Sequence, residues 1–208
     1  FGLTISTLAG FSFDKHESAI SNLITESSAI DDLINISTVL PPLDRAQINS
    51  AIKDYLSAVI EKEWPAMNRE VAKNREIALP EFLALSKIIN QIAYQPNQRV
   101  SIENQLEAGL TIIRHTRQVR HSLAYDTDNI KKWIAIPVSS ILLLISVGIV
   151  HLGSLKAMKV SLSIASLCIL TAMVFLYISI SPYGMWNPVK PHQLQESLRV
   201  LNAVNSNR

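Results

Sequence analysis

The sequence predicts an all-α protein in which integral membrane helices are joined to a long-helix cytoplasmic bundle. Three observations predict it. Two long apolar runs, Trp133 to Val150 and Val160 to Ile180, contain no charged side chain. Elsewhere apolar residues recur at spacings of three and four, the period of an amphipathic helix. No strand-like alternation of useful length occurs anywhere.

At ~1.5 Å per residue, each apolar run is near the ~20 residues that cross a hydrocarbon core of ~30 Å. The polar linker between them, His151 to Lys159, makes the pair a transmembrane helical hairpin. The alternative is a buried hairpin in a large soluble domain, but the remaining chain offers too little apolar mass to cover both runs. Of the 208 residues 17% are charged, against roughly 25% in soluble domains. The shortfall is local: Asp14 to Lys132 is charge-rich, and the chain is then almost charge-free until its tail. A formal charge of +2 argues against a dedicated nucleic-acid binder. The one cysteine, Cys168, excludes an intrachain disulfide framework and is expected to pack as a small hydrophobe.

The elements follow in order. Phe1 to Phe13 is apolar or small throughout and has neither a basic leader nor a small-residue cleavage site. Being too short to span, it is expected to be the inner end of a membrane helix whose outer part precedes Phe1, which makes at least three spans. The helix continues past Asp14, with Ala19, Ile20, Leu23, Ile24, Ile30, Leu33 and Ile34 on its period, until Pro41-Pro42 break it. Asp44 is a candidate N-cap for a second helix with Ile48, Ile52, Tyr55, Leu56 and Val59 on one face, and Trp64-Pro65 marks a kink or stop. Asn68 to Glu76 reads as a solvated helix face or linker. Leu79-Pro80-Glu81 opens a third helix, with Pro in the first turn and an acid to suit the dipole. Ser101 is a candidate N-cap for a fourth. Asp126 and Asp128 in the polar joint before the hairpin suit N-capping better than a calcium loop, whose glycine and terminal glutamate are absent. The tail ends in an amphipathic helix carrying Leu194, Leu198 and Leu201.

Basic residues near the membrane set orientation. Arg114, Arg117, Arg120, Lys131 and Lys132 precede the hairpin, and Lys156 and Lys159 lie in its linker. The larger cluster places the central domain in the cytoplasm and gives four segments. These are a truncated membrane helix over 1–13, a cytoplasmic helical domain over 14–132, the hairpin over 133–180 and a cytoplasmic tail over 181–208.

No catalytic constellation, phosphate loop or metal-ligand spacing emerges, so the chain is not read as an enzyme and calls for no cofactor. His115 and His121 stand six apart, on different helix faces, and the five histidines read as solvated or capping groups. Arg114, Arg117 and Arg120 repeat every third position and form a slowly drifting basic stripe. That stripe, with Lys131 and Lys132, is a candidate anion vestibule or a grip on acidic headgroups. Retention at the inner face with salt bridges to nearby acids is the plainer explanation.

A family pattern then becomes visible. A membrane helix runs straight into a long helix with an acid-alanine element, Thr25-Glu26-Ser27-Ser28-Ala29-Ile30, followed by the break Val39-Leu40-Pro41-Pro42. A helix of the form Tyr55 … Glu63-Trp64-Pro65 comes next, then an Arg-rich helix, the hairpin, and Ser181-Pro182-Tyr183-Gly184 before a short amphipathic tail. This order resembles the bacterial bestrophin-like membrane proteins over nearly the whole chain. The resemblance implies a four-span protein of the bacterial inner membrane, related to pentameric anion channels whose second membrane helix lines an apolar neck. By position it carries the neck onto Phe1 to Phe13, where Leu3, Leu8 and Phe11 are candidate pore-lining residues. The partners implied are the lipid bilayer, further copies of the chain as a homo-oligomer, and small anions. Phe13-Asp14-Lys15-His16 stands where bestrophins proper carry an arginine and a run of aromatics, and the acidic calcium-binding run of animal bestrophins is missing. The alternative is a non-conducting membrane scaffold or sensor whose cytoplasmic helices bind a partner.

Overall fold

The computed structural model describes residues 2–68, 77–96, 99–125, 129–178, 182–183 and 188–206. Among these residues the regular structure is helical throughout. The chain divides into two units. One comprises Phe1–Glu17 with Asp126–Pro188, the other Ser18–Tyr125 with Val189–Arg208.

Helix α1 spans Gly2–Ser37 as one element of 36 residues. No proline interrupts it, and its end is built from side chain as well as backbone. Thr38, Val39 and Leu40 turn back onto Asn35, Ile36 and Ser37. Arg45 then closes the free carbonyls, its Nε donating to the Ser37 oxygen at 3.0 Å and its Nη2 to that of Leu40 at 3.3 Å. Helix α2 (Pro42–Ala58) begins at Pro42, with Pro41 extended ahead of it and no side-chain cap. Asp44 therefore lies inside the first turn rather than at the N-cap. Proline at the first helical position needs no N–H there and brings its φ ready-set.

Pro65 neither stops the helix nor simply bends it. Val59–Glu63 forms a π turn, and the Trp64 N–H reaches the Val59 carbonyl five residues back. A proline ring clashes with the carbonyl four residues earlier, and the widened turn relieves that clash while swinging Glu63 inward. Helix α3 (Trp64–Asn68) follows. Helix α4 (Leu79–Ala93) starts with Pro80 and Glu81 in its first turn, as the sequence predicts. Helix α5 (Val100–Ala124) has Arg99 at its N-cap, so Ser101 is a first-turn residue and not a cap.

In this second unit α2 packs on α4, α4 on α5 and the C-terminal helix His192–Ser206, α8, on α2. Helix α8 (His192–Ser206) lays down Leu194 and Leu201, both fully buried, with Leu198 half-buried. It is also tied by polar contacts. The buried Ser27 and Ser197 hydroxyls meet at 2.9 Å, and Asn49 Nδ2 donates to Asn205 Oδ1 at 3.1 Å. Gly109 of α5 lets a neighbouring helix come close: a Cβ there would stand 2.8 Å from Leu33 Cδ2 of α1.

The first unit holds helices α6 (Asn129–Val150) and α7 (Leu155–Ile178), packed on each other. The connection is shorter than the sequence suggests, because α7 already includes Lys156 and Lys159. His151 fixes it: Nδ1 lies 3.0 Å from the Val147 carbonyl and Nε2 lies 3.2 Å from the Ser161 hydroxyl. Within α7, Leu155–Phe175 is long and apolar enough to cross a membrane and is almost wholly unburied by this chain. Among the described residues, Ile136–Val150 of α6 is apolar but shorter. Cys168 is exposed on α7 instead of being packed.

Candidate functional site

Four helical segments of the second unit bring one buried charged cluster together. Arg120 of α5 is its centre and is 1% exposed. Its Nη1 pairs with Glu26 Oε2 of α1. Its Nε and Nη2 both donate to Glu63 Oε1, at 3.2 and 2.7 Å. Tyr55 of α2 donates its hydroxyl to Glu26 Oε1 at 2.6 Å. Glu63 Oε2 accepts the Ala78 backbone N–H at 3.2 Å, so the carboxylate also serves the start of α4, where the helix dipole favours negative charge. The guanidinium lies 5.8 Å from the Trp64 ring centroid. The Trp64 indole in turn donates to the Val189 carbonyl at 2.9 Å. His121 Nε2 stands 3.5 Å from Glu63 Oε1.

The electrostatics follow from burial. A buried cation is costly unless it is paired and hydrogen-bonded, and here one guanidinium serves two carboxylates. Burial would raise the Glu63 carboxyl, but the charge of Arg120, aided by His121, outweighs it and holds Glu63 at about 2 against an ordinary 4.5. Burial and then the Glu26 charge push the Tyr55 phenol well above its ordinary value, so it stays a donor. Burial works against the Arg120 charge, yet Glu26, Tyr55 and Glu63 carry its guanidinium still further above the usual range. The guanidinium and both carboxylates are paired with one another, so the cluster ties these helical segments together. Among the described residues no group of three or more His, Cys, Asp or Glu is placed to hold a metal ion.

The basic stripe separates into three environments. Arg114 is exposed. Arg117 is half-buried, with its guanidinium 5.8 Å from the Phe82 ring centroid. Arg120 is enclosed with Glu26 and Glu63, and this corrects its expected place in a vestibule or against lipid. The reason is helical geometry. Each three-residue step turns about 300°, so Arg120 lies about 120° round α5 from Arg114. Lys131 and Lys132 fall within the first turn of α6, and their side chains lie outside the described residues. So do Asp126 and Asp128 and the side chains of Leu3 and Leu8, although both leucines belong to α1. Phe11 is 47% exposed on the same helix. His121, read from sequence as solvated or capping, is half-buried beside Glu63.

In the first unit, exposed large apolar residues run the length of α6 and α7. On α6 they include Ile134, Val138, Ile141, Ile145 and Ile149; on α7 they include Val160, Ile164, Leu167 and Val174. A soluble surface does not normally carry apolar stripes of this length.

Fold and site together define an all-helical protein with an uncovered apolar helix pair and a bundle locked by a buried arginine between two glutamates. The chain belongs to the bestrophin-like family, since the Bestrophin-like domain matches residues 1–188. A solved point variant of a bacterial bestrophin homologue from Klebsiella pneumoniae is similar at 16% identity with a TM-score of 0.65, over 99% of this chain and 85% of that one. A second variant of a bestrophin homologue from the same organism gives 16% identity and a TM-score of 0.65, over 98% and 85%. A solved structure described as a membrane protein gives 14% identity and a TM-score of 0.68, over 97% and 82%. At these identities the likeness establishes the fold. No curated protein matches the chain.

Proposed function

We propose that the protein is an oligomeric anion channel of the bacterial inner membrane, of the chloride-conducting type. The observation that carries the reading is membership of the bestrophin-like family over residues 1–188. The uncovered apolar stripes of α6 and α7 support lipid as their solvent. In this reading Asp126 to Pro188 and the start of α1 meet the bilayer, while the Arg120-locked bundle and the tail lie on the cytoplasmic side.

The conduction path is a ring of α1 segments from several copies, five by likeness to bestrophins. An apolar ring of this kind gates by dewetting. Leu3 and Leu8 sit about 140° apart around α1, so one constriction takes one of them beside Phe11. Arg114, Lys131 and Lys132 then hold anions or acidic headgroups near the inner face.

A second reading is a cation channel. Asp14 and Glu17 of α1, just after the neck segment, are exposed, and acids beside a narrow neck attract small cations.

The experiment is a pair of measurements on one preparation: the mass of the detergent-solubilised particle, and chloride efflux after reconstitution in liposomes. The proposal expects a closed ring and efflux that rises when Phe11→Ala is combined with alanine at Leu3 or at Leu8. A monomeric particle, or a ring whose efflux stays at background in every variant, overturns it.

A further inference from the structure

Helices α2 and α4 pack closely, yet they leave an open cavity of about 440 Å³ between them. Positions 47, 51 and 54 of α2 and 81, 84 and 88 of α4 line it, each set on one helix face at spacings of three and four. Gln95, just past α4, donates to Asp44 at 3.3 Å, and Lys62 stands 3.8 Å from Glu81. The two helices therefore run antiparallel. Asp54 and Glu81 lie towards one end of the cavity, Gln47 and Ile88 towards the other, with Ala51 and Ala84 as small apolar walls.

The acidic end is under-compensated. Asp54 is exposed and has no hydrogen-bond or ion-pair partner among the described residues. Glu81 offers Oε1 to Lys62, whose side chain is 62% exposed, and such surface pairs contribute little. Its Oε2 has no donor. Lys53 and Lys87 do not line the cavity. One end thus calls for a cation, and the remainder offers alkyl groups a surface to leave water.

We propose that this cavity binds a short aliphatic amine, its ammonium held by Asp54 and Glu81 and its methylenes lying along Ala51, Ala84 and Ile88. A bare metal cation gains nothing from the apolar walls, and a neutral alcohol gains nothing from the carboxylates. The site lies wholly within the second unit and does not rest on conduction: a chain that moves no ions would still bind.

The test is binding to the full chain purified in detergent, read by thermal shift. Ethylamine, propylamine and butylamine hydrochlorides are the probes, with sodium chloride at matched ionic strength and butanol as references. A saturable rise in Tm with the amines and none with either reference is expected. Each added methylene should tighten binding by up to about 4-fold, the worth of one CH₂ leaving water. Asp54→Asn should weaken butylamine binding about 10-fold, as loss of a charge-assisted hydrogen bond does. Ala84→Leu, at an exposed position, fills the cavity and should abolish binding, whereas Asp32→Asn on α1 should leave it unchanged. Butanol or sodium as effective as butylamine, or equal affinity in Asp54→Asn, overturns the site. So does a failure of every amine to bind; if Ala84→Leu then also lowers the particle mass, the cavity instead receives a side chain of a second copy.

Discussion

Arg120 and Glu63 stand 57 positions apart in the chain and meet through two hydrogen bonds, at 3.2 and 2.7 Å, with neither side chain open to water. Their contact is where α5, the π turn and, through Ala78, the start of α4 are fixed against each other. Glu26 adds α1 from the other side of the same guanidinium. One cation thus organises most of the second unit.

Removing that cation leaves two buried carboxylates uncompensated. Arg120→Met should destabilise the protein by about 3–5 kcal/mol, the cost of breaking one side of a buried ion pair. Equilibrium denaturation in detergent measures it. Adding Glu26→Gln and Glu63→Gln to the same variant should restore a large part of the loss, because the unpaired charges then disappear. An Arg120→Met variant as stable as the parent would mean that the cluster is solvated.

Glu63 also makes the bundle sensitive to acid. Its carboxyl is displaced from 4.5 to about 2, which corresponds to about 3 kcal/mol at ~1.4 kcal/mol per pH unit. A depressed carboxyl contributes fully above its unfolded value and loses that contribution as pH falls towards the folded one. The stability of the parent should therefore decline between about pH 4.5 and pH 2, and Glu63→Gln should show a shallower decline over that window. Unfolding curves at half-unit steps decide between them.

Gly109 makes a separate, steric prediction. A side chain there meets Leu33, which is fully buried and has little room to turn away. Gly109→Val should cost about 1–3 kcal/mol through overpacking, and Gly109→Val with Leu33→Ala should recover part of it. Independent losses in the double variant would place the strain elsewhere.

The helical class, the continuity of α1, the proline-led start of α4 and the amphipathic α8 are all legible in the sequence, because each depends on local periodicity and backbone stereochemistry. The cluster is not, because its partners lie 94 and 57 positions apart. In the sequence Tyr55 reads as part of an apolar face and Trp64 as part of a kink, while Glu26 and Glu63 attract notice only within a family pattern, with nothing to say that the four meet. Arg120 hides in a stripe whose three-residue step rotates it away from Arg114. The available signal was Pro65: a proline four residues after Glu61 forces the turn that carries Glu63 inward. The N-caps expected at Asp44 and Ser101 failed for a related reason. Pro42 and Val100 already occupy helical positions ahead of them, and a side-chain cap needs the residue just outside the helix.

Anion conduction is measured by the reversal potential of the reconstituted protein under a potassium chloride gradient. An anion channel gives a current that reverses near the chloride equilibrium potential. Reversal near the potassium equilibrium potential would contradict it in favour of the acids on α1, and no current from an assembled ring would contradict it altogether.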